Sequence, residues 1–168
     1  MAKGIEIERK YVIRMPDFEK IRKTDGYSES KIVQIYLALG EGVTHRIRKR
    51  SFEHLTSYTE TKKTRIDSVS AVEEENEISE AQFVILSAKI KSGTRPIIKT
   101  RYTFDYNEVT FEIDVYPDWK QSAIMETELK NREESVKMPP FIDIIGEVTG
   151  DRRYSNAAMA QKFPEELI

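Results

Sequence analysis

Acidic and basic side chains recur along this 168-residue chain at a spacing of two, in short runs whose intervening positions are often apolar. Glu6, Glu8 and Lys10 open the series. Arg46 and Arg48, Thr61 and Lys63, Glu75 and Glu77, Lys99 and Arg101, Glu112 and Asp114, and Glu126 and Glu128 continue it. Residues two apart share one face of a β-strand, so each run would carry its charged pair on a single face. Gathered carboxylates bind hard divalent cations through oxygen. Gathered Lys and Arg hold phosphate groups, Arg as a bidentate fork. One such pair alone is an ordinary solvated strand face. The joint pattern, with similar numbers of each sign, describes a place where divalent cations and several phosphate groups meet.

The elements that would position these pairs are strands. Residues 5–13 alternate, with Ile5, Ile7, Tyr11 and Ile13 on one face and Glu6, Glu8 and Lys10 on the other, which is the two-residue period of a strand. Runs near 31–38, 43–50, 55–63, 72–78, 95–105, 109–116 and 122–130 read the same way and bring the count to about eight strands. Asp105, Tyr106 and Asn107 mark a tight hairpin, because Asn and Asp tolerate turn conformations. Helices fill the gaps. Pro16 and Asp17 start one at FEKIRK, with Pro in the first turn and an acid at the positive end. Ser79 caps a second, which carries Phe83, Leu86 and Ile90 and is closed by Gly93. A short third is expected over Arg132 to Val136, and a last from about Tyr154 to Lys162. Short connections favour antiparallel pairing.

Ile98, Tyr102 and Phe104 oppose Lys99 and Arg101, and Phe111, Ile113 and Val115 flank Glu112 and Asp114. Helices are expected to cover these apolar faces, which leaves the charged faces pointing either to open water or into the bore of a closed barrel. Like charges at i and i+2 stand roughly 7 Å apart and repel by about 0.6 kcal/mol in water and about 2.4 kcal/mol at an effective dielectric near 20. On open surface that is harmless. Inside a bore it needs cations and an opposing basic set, and the basic set is present in similar number. His45 and His54 read as structural or exposed, since imidazole is not a preferred ligand of Mg²⁺. Gln34 and Tyr36 read either as strand-face fillers, as most such residues are, or as members of the site; Trp119 reads as a loop or core anchor, and Met125 and Met138 as packing.

Composition sets the outer limits. Charged residues make up 33% of the chain, yet 27 Lys and Arg against 29 Asp and Glu leave a net charge of −2. That argues against a protein that coats nucleic acid through bulk positive charge. The absence of Cys removes disulfide scaffolds, thiolate metal sites and cysteine nucleophiles together, and it fits a reducing compartment. No apolar stretch approaches the roughly 18 residues of a membrane span, and MAKGIEIERK is charged where a signal peptide would be apolar. The reading is one domain over residues 1–168, in the cytoplasm, with no nucleic-acid or membrane partner.

The opening Glu6-Ile7-Glu8-Arg9-Lys10 matches the ExExK signature of the CYTH superfamily, the triphosphate tunnel metalloenzymes. Support comes from the order of the later runs along the chain: Arg46-Ile47-Arg48, Thr61-Lys62-Lys63, Glu75-Asn76-Glu77-Ile78, Lys99-Thr100-Arg101, Glu112-Ile113-Asp114, Glu126-Thr127-Glu128 and the tail from Glu147 to Asn156. The resemblance spans almost the whole chain, and the tail resembles that of small bacterial tripolyphosphatases. It implies an α+β, mainly β fold: an eight-stranded antiparallel closed barrel with helices outside. It further implies metal-dependent hydrolysis of inorganic tripolyphosphate or a related small-molecule triphosphate, with Mg²⁺ or Mn²⁺ as cofactor. Carried over by position, Glu6, Glu8, Glu126 and Glu128 are metal ligands, with Glu112 and Asp114 as further ligands. Glu75 and Glu77 orient the water, and Lys99 positions or activates it. Lys10, Arg46, Arg48, Lys63, Lys99, Arg101 and Arg152 hold phosphate oxygens. Lys62 and Lys63 face opposite ways in a regular strand, so only one can face a lumen. Adenylate cyclase chemistry of the class IV type and thiamine triphosphatase activity are alternatives within the family, and a non-catalytic polyphosphate-binding module is an alternative outside it. The sequence leaves the oligomeric state, monomer or homodimer, open.

Overall fold

The computed structural model describes residues 2–168. Nine strands run through them: β1 (Ala2–Arg14), β2 (Ser28–Gly40), β3 (Val43–Phe52), β4 (Leu55–Arg65), β5 (Ser70–Glu77), β6 (Ile97–Tyr106), β7 (Val109–Val115), β8 (Ser122–Glu128) and β9 (Ile144–Glu147). Three short helices join them: α1 (Phe18–Ile21), α2 (Glu80–Ser87) and α3 (Asn156–Gln161). Eight strands close into an antiparallel barrel in the order β1, β5, β4, β3, β2, β6, β7, β8 and back to β1. The length of β1 makes closure possible. Its first half pairs with β5, from Ala2 opposite Glu75 to Ile7 opposite Ser70. Its second half pairs with β8, from Glu8 opposite Glu128 to Arg14 opposite Ser122. The ninth strand, β9, lies on β1 opposite Tyr11, Val12 and Ile13 and is not one of the barrel eight. No described helix is long and apolar enough to cross a membrane.

The hairpins follow local chemistry. Asn107 and Glu108 both adopt positive φ, at 50° and 63°. That is the two-residue connection whose twist matches that of the strands it joins, and it links β6 to β7. Gly42, at φ 70°, closes the β2–β3 hairpin in a conformation that costs glycine little. Asp17 caps α1 through its side chain. Ser79 and Gln82 form a reciprocal capping box at the start of α2.

Two apolar clusters stabilise the barrel. The first lies outside the wall: Tyr11, Ile13, Phe104, Phe111, Ile113 and Met125 pack beneath Ile21 of α1 and Ile142. Phe18 packs on Tyr102 with ring centroids 4.5 Å apart and the planes tilted by 37°. The second closes one end of the bore. Val12, Ile97, Tyr116 and Ile124 share the strand faces of Lys10, Lys99, Asp114 and Glu126, and they pack with Trp119, Tyr154 and the α3 residues Met159 and Ala160. Trp119 is therefore a core anchor of this plug.

Several expectations need correction. Residues 132–136 form no helix; instead Arg132 reaches Asp67 and Ser70 across the β4–β5 hairpin. The last helix is shorter than expected, because Arg152–Tyr154 turn as a 3₁₀ segment before Ser155 caps α3. α2 ends at Ser87, well before Gly93. Helical cover of the outer wall is incomplete: Ile98 is 57% exposed, and α2 buries none of its residues.

Candidate active site

The even-numbered face of β1 looks inward, and so do the matching faces of its neighbours. Together they line a cavity of about 1370 Å³. Its walls are divided by charge. The adjacent strands β7, β8, β1 and β5 present Glu112, Glu126, Glu128, Glu6, Glu8, Glu73 and Glu75; facing them, β4, β3 and β6 present Lys63, Arg65, Arg46, Arg48, Arg50 and Arg101. Lys10 is the basic exception on the acidic side, and Arg152 joins the lining from the tail. Lys63 lines the cavity while Lys62 is exposed on the opposite face, as alternation along β4 requires.

Half of these lining cations are held by carboxylates. Lys63 pairs with Glu6 at 3.0 Å, Arg46 with Glu73 at 3.0 Å and Lys10 with Glu126 at 2.9 Å. Arg101 contacts Glu112, and it lies 3.7 Å from Glu126. Thr61 donates its hydroxyl to Glu75 at 2.9 Å. Arg48, Arg50, Arg65 and Arg152 make no ion pair among the described residues, and the buried Nε of Arg46 has no hydrogen-bond partner among them. Arg48 and Arg50 each donate Nε to a neutral acceptor, Gln34 and Ser30, and no carboxylate among the described residues neutralises them, which is the character of a group that can hold an anion.

The acidic wall carries the opposite stress. Glu8 stands directly across from Glu128 in the β1–β8 ladder, and Glu126 across from Glu112 in β7–β8. Repulsion from Glu126, reinforced by burial, raises the Glu8 carboxyl above the usual range. Burial together with Glu6, Glu112 and Glu8 raises Glu128. Burial also works to raise Glu126, but Lys10, Arg101 and Lys99 outweigh it and hold that group at about 2. Burial, and a hydrogen bond that the protonated Glu73 carboxyl donates to Glu6, push Glu73 up to about 7. Among the described residues no three His, Asp or Glu side chains are gathered as a ready-made metal site. The donor chemistry nevertheless fits a hard divalent cation: the crowded donors are all carboxylate oxygens, and a cation would relieve the repulsion that raises Glu8 and Glu128.

Three residues singled out from the sequence lie elsewhere. Glu77 is exposed at the end of β5, outside the cavity lining, and Glu73 lines it instead. Asp114 was expected as a metal ligand, but its side chain is 1% exposed and its oxygens are taken by Lys99 Nζ at 2.6 Å, Arg101 Nε at 2.7 Å and Arg101 Nη2 at 2.8 Å. Those two cations keep it ionised, well below the usual carboxylate range, despite its burial. Lys99 was expected beside the attacking water, yet its side chain is 0% exposed and it does not line the cavity. Burial lowers its ammonium to about 7 while Asp114 opposes that shift. Both residues lie behind the lining, where Asp114 braces Arg101 and Lys99 holds Asp114. Gln34 and Tyr36 are buried on the inner face of β2 and touch the arginines: Gln34 accepts from Arg48 and donates to the Tyr36 hydroxyl. His45 pairs with Glu60 on the outer face of the β3–β4 ribbon.

The sequence reading missed Glu73, Arg50 and Arg65. Each lies two residues from one that was found, so the same alternation extended by one step would have reached it. In the run Glu73-Glu74-Glu75-Asn76-Glu77 the parity was right and the wrong end was chosen.

No protein-family model and no curated protein matches this chain. Solved structures do. The chain is similar to the inorganic triphosphatase NE1496, at 28% identity over 95% of this chain and 97% of that one, with a TM-score of 0.62. The PH1819 protein from Pyrococcus horikoshii OT3 is 24% identical over 76% of this chain and 80% of its own, with a TM-score of 0.59. The Hippeastrum adenylyl cyclase candidate HpAC1, described as having a dominant triphosphatase activity, is 16% identical over 76% of this chain and 81% of its own, with a TM-score of 0.50. The last two likenesses are of fold.

Proposed function

We propose that this chain, whose closed barrel and solved neighbours are those of the CYTH superfamily, is a metal-dependent triphosphatase that hydrolyses inorganic tripolyphosphate or a related triphosphate inside its bore. The observation that carries this reading is the division of one cavity into an acidic wall and a facing basic wall, with several of the basic residues left without carboxylate partners. Phosphoryl transfer needs little covalent help from a protein; it needs positioning and neutralisation of charge on the phosphate oxygens. Arg46, Arg48, Lys63 and Arg101 are placed to grip those oxygens. Glu6, Glu8, Glu126 and Glu128, with Glu112 beside them, are the residues that would hold Mg²⁺ or Mn²⁺. When bound, such an ion supplies charge neutralisation at the phosphate and lowers the pKa of a coordinated water. Glu75, tied to Thr61, is placed to orient the attacking water. Water attacks the terminal phosphorus, the P–O bond to the next phosphate breaks, and orthophosphate leaves with the shortened chain.

Among the described residues Tyr36 is the one aromatic side chain in the lining, and it is 2% exposed. The cavity thus offers no aromatic platform for a base, which favours an inorganic chain over a nucleotide and hydrolysis over cyclisation. We take residues 1–168 as one catalytic unit that acts in the cytoplasm on a small molecule, as a monomer or homodimer, without nucleic acid or membrane as partner. The test is a panel of tripolyphosphate, ATP and thiamine triphosphate assayed with Mg²⁺ and with Mn²⁺, following phosphate and cyclic AMP. Phosphate release, fastest from tripolyphosphate, is the expected result. No release from any of the three refutes the reading, and cyclic AMP from ATP replaces it.

A further inference from the structure

Gln34 is a fully buried amide directly opposite Arg48 in the β2–β3 ladder. Its side-chain oxygen accepts from Arg48 Nε at 3.1 Å, and its nitrogen donates to the Tyr36 hydroxyl at 3.2 Å. Lys10, Arg46, Lys63 and Arg101 each have a carboxylate within 3.0 Å. Arg48 has none, although it lines the same cavity. The Arg101–Asp114 pair shows what a carboxylate does to a guanidinium here: it occupies both Nε and Nη2 and cancels the charge. An amide has one acceptor atom and no net charge. Gln34 therefore fixes Nε and leaves Nη1 and Nη2 of Arg48 without a protein acceptor among the described hydrogen bonds.

We infer that Gln34 is a positioning residue for the anion site, a neutral clamp that holds Arg48 by Nε while leaving its terminal nitrogens and its full charge for a phosphate group. The ligand named here rests on the proposed function; the clamp itself rests on geometry alone. Burial, with Arg46 and Arg101 nearby, already pulls the Arg48 guanidinium down to about 9. A carboxylate at position 34 would relieve that stress in the empty protein and compete with phosphate in the filled one. Stability and substrate binding should thus move in opposite directions when the clamp acquires charge, a response that plain core packing does not give.

Two variants test this. Gln34→Glu, nearly isosteric, is expected to raise the melting temperature of the ligand-free protein and to raise the KM for tripolyphosphate roughly tenfold or more, with kcat within about threefold. Gln34→Met keeps volume and neutrality but removes the acceptor. Exchange of the Arg48 Nε–H proton, followed by ¹⁵N NMR without substrate, should become at least about tenfold faster in it, as expected when a buried hydrogen bond is lost. Because the NMR comparison needs no turnover, a wild-type protein inactive on every triphosphate would refute the functional reading while the clamp is still decided. An unchanged KM in Gln34→Glu, or unchanged Arg48 Nε–H exchange in Gln34→Met, overturns the inference.

Discussion

Replacing Glu8 with Gln should make the ligand-free protein more stable and the metal-loaded protein less stable than wild type. Glu8 faces Glu128 across β1–β8 and feels Glu126 and Glu6 as well. One like charge at roughly 6 Å costs about 2.8 kcal/mol at an effective dielectric near 20. Lys10 and Lys63 act in the opposite sense on the same carboxylate, so the net gain on removing the charge is taken as about 1 kcal/mol, or about 2–4 °C in melting temperature for a chain of this size. The pH dependence has a definite sign. A carboxyl whose folded pKa is raised destabilises the protein above that value and ceases to do so as it takes up its proton. Wild-type stability should therefore rise, relative to the variant, as the pH falls from 7 through the raised value toward 4.5, and the difference should vanish below.

Metal reverses the order. At about one hundred times its dissociation constant, a divalent cation adds about 2.7 kcal/mol to wild type, whereas a variant that binds about a hundredfold more weakly gains only about 0.4 kcal/mol. Wild type then ends about 1.3 kcal/mol ahead. The assay is differential scanning calorimetry of both proteins in EDTA and in Mg²⁺ or Mn²⁺, with tripolyphosphate turnover measured in parallel. A variant that melts lower in EDTA, or that gains as much from metal as wild type, refutes the argument that these carboxylates repel one another in wait for a cation.

Asp114→Asn should behave differently, because it leaves Lys99 and Arg101 buried with half their partner removed. A broken buried pair costs about 3–5 kcal/mol, a fall of about 6–20 °C, with or without metal. Because the folded pKa of Asp114 is depressed, its contribution is present above the usual carboxylate range and is lost as pH falls through the lower folded value; melts at pH 7 and pH 2 that differ equally between the two proteins would contradict this. Turnover assays should separate the two ends of the β5 acidic run, with Glu77→Gln within about twofold of wild type and Glu73→Gln reduced about tenfold or more. Equal loss in both would return Glu77 to the site.

Face was legible in the sequence, and depth was not. Alternation identified the inward side of seven of the barrel runs, because a period of two leaves a side chain no third direction. It placed Lys99 and Asp114 correctly on the inner face. It could not show that they lie one pleat too deep, since depth depends on which residue faces which across neighbouring strands, and that is set by hairpin geometry and by where β1 changes partner from β5 to β8. A partial signal was present. Val12, Ile97, Tyr116 and Ile124 continue the charged faces by one step with apolar residues, and a face that changes from charged to apolar is one that runs from a wet cavity into a dry plug. β9 escaped notice because four residues are too few for alternation to register.

Ion pairs drawn partly out of water recover little net stability, so the number of them around this bore calls for an explanation other than stability. Lys63–Glu6, Arg46–Glu73 and Lys10–Glu126 each join a cation that could serve phosphate to a carboxylate that could serve metal. A polyanion that draws Lys63 and Arg46 toward itself leaves Glu6 and Glu73 uncompensated, and a metal that draws in the carboxylates leaves the cations uncompensated. Either ligand alone breaks pairs and strands charge; both together exchange each of these three internal pairs for an external one. On the proposed function, metal and triphosphate therefore reinforce each other's binding, by the same factor in each direction as linkage demands. Arg48, held by a neutral amide, and Arg50, held by the Ser30 hydroxyl, are cations that need no exchange, so an incoming phosphate can be held there without breaking an existing pair.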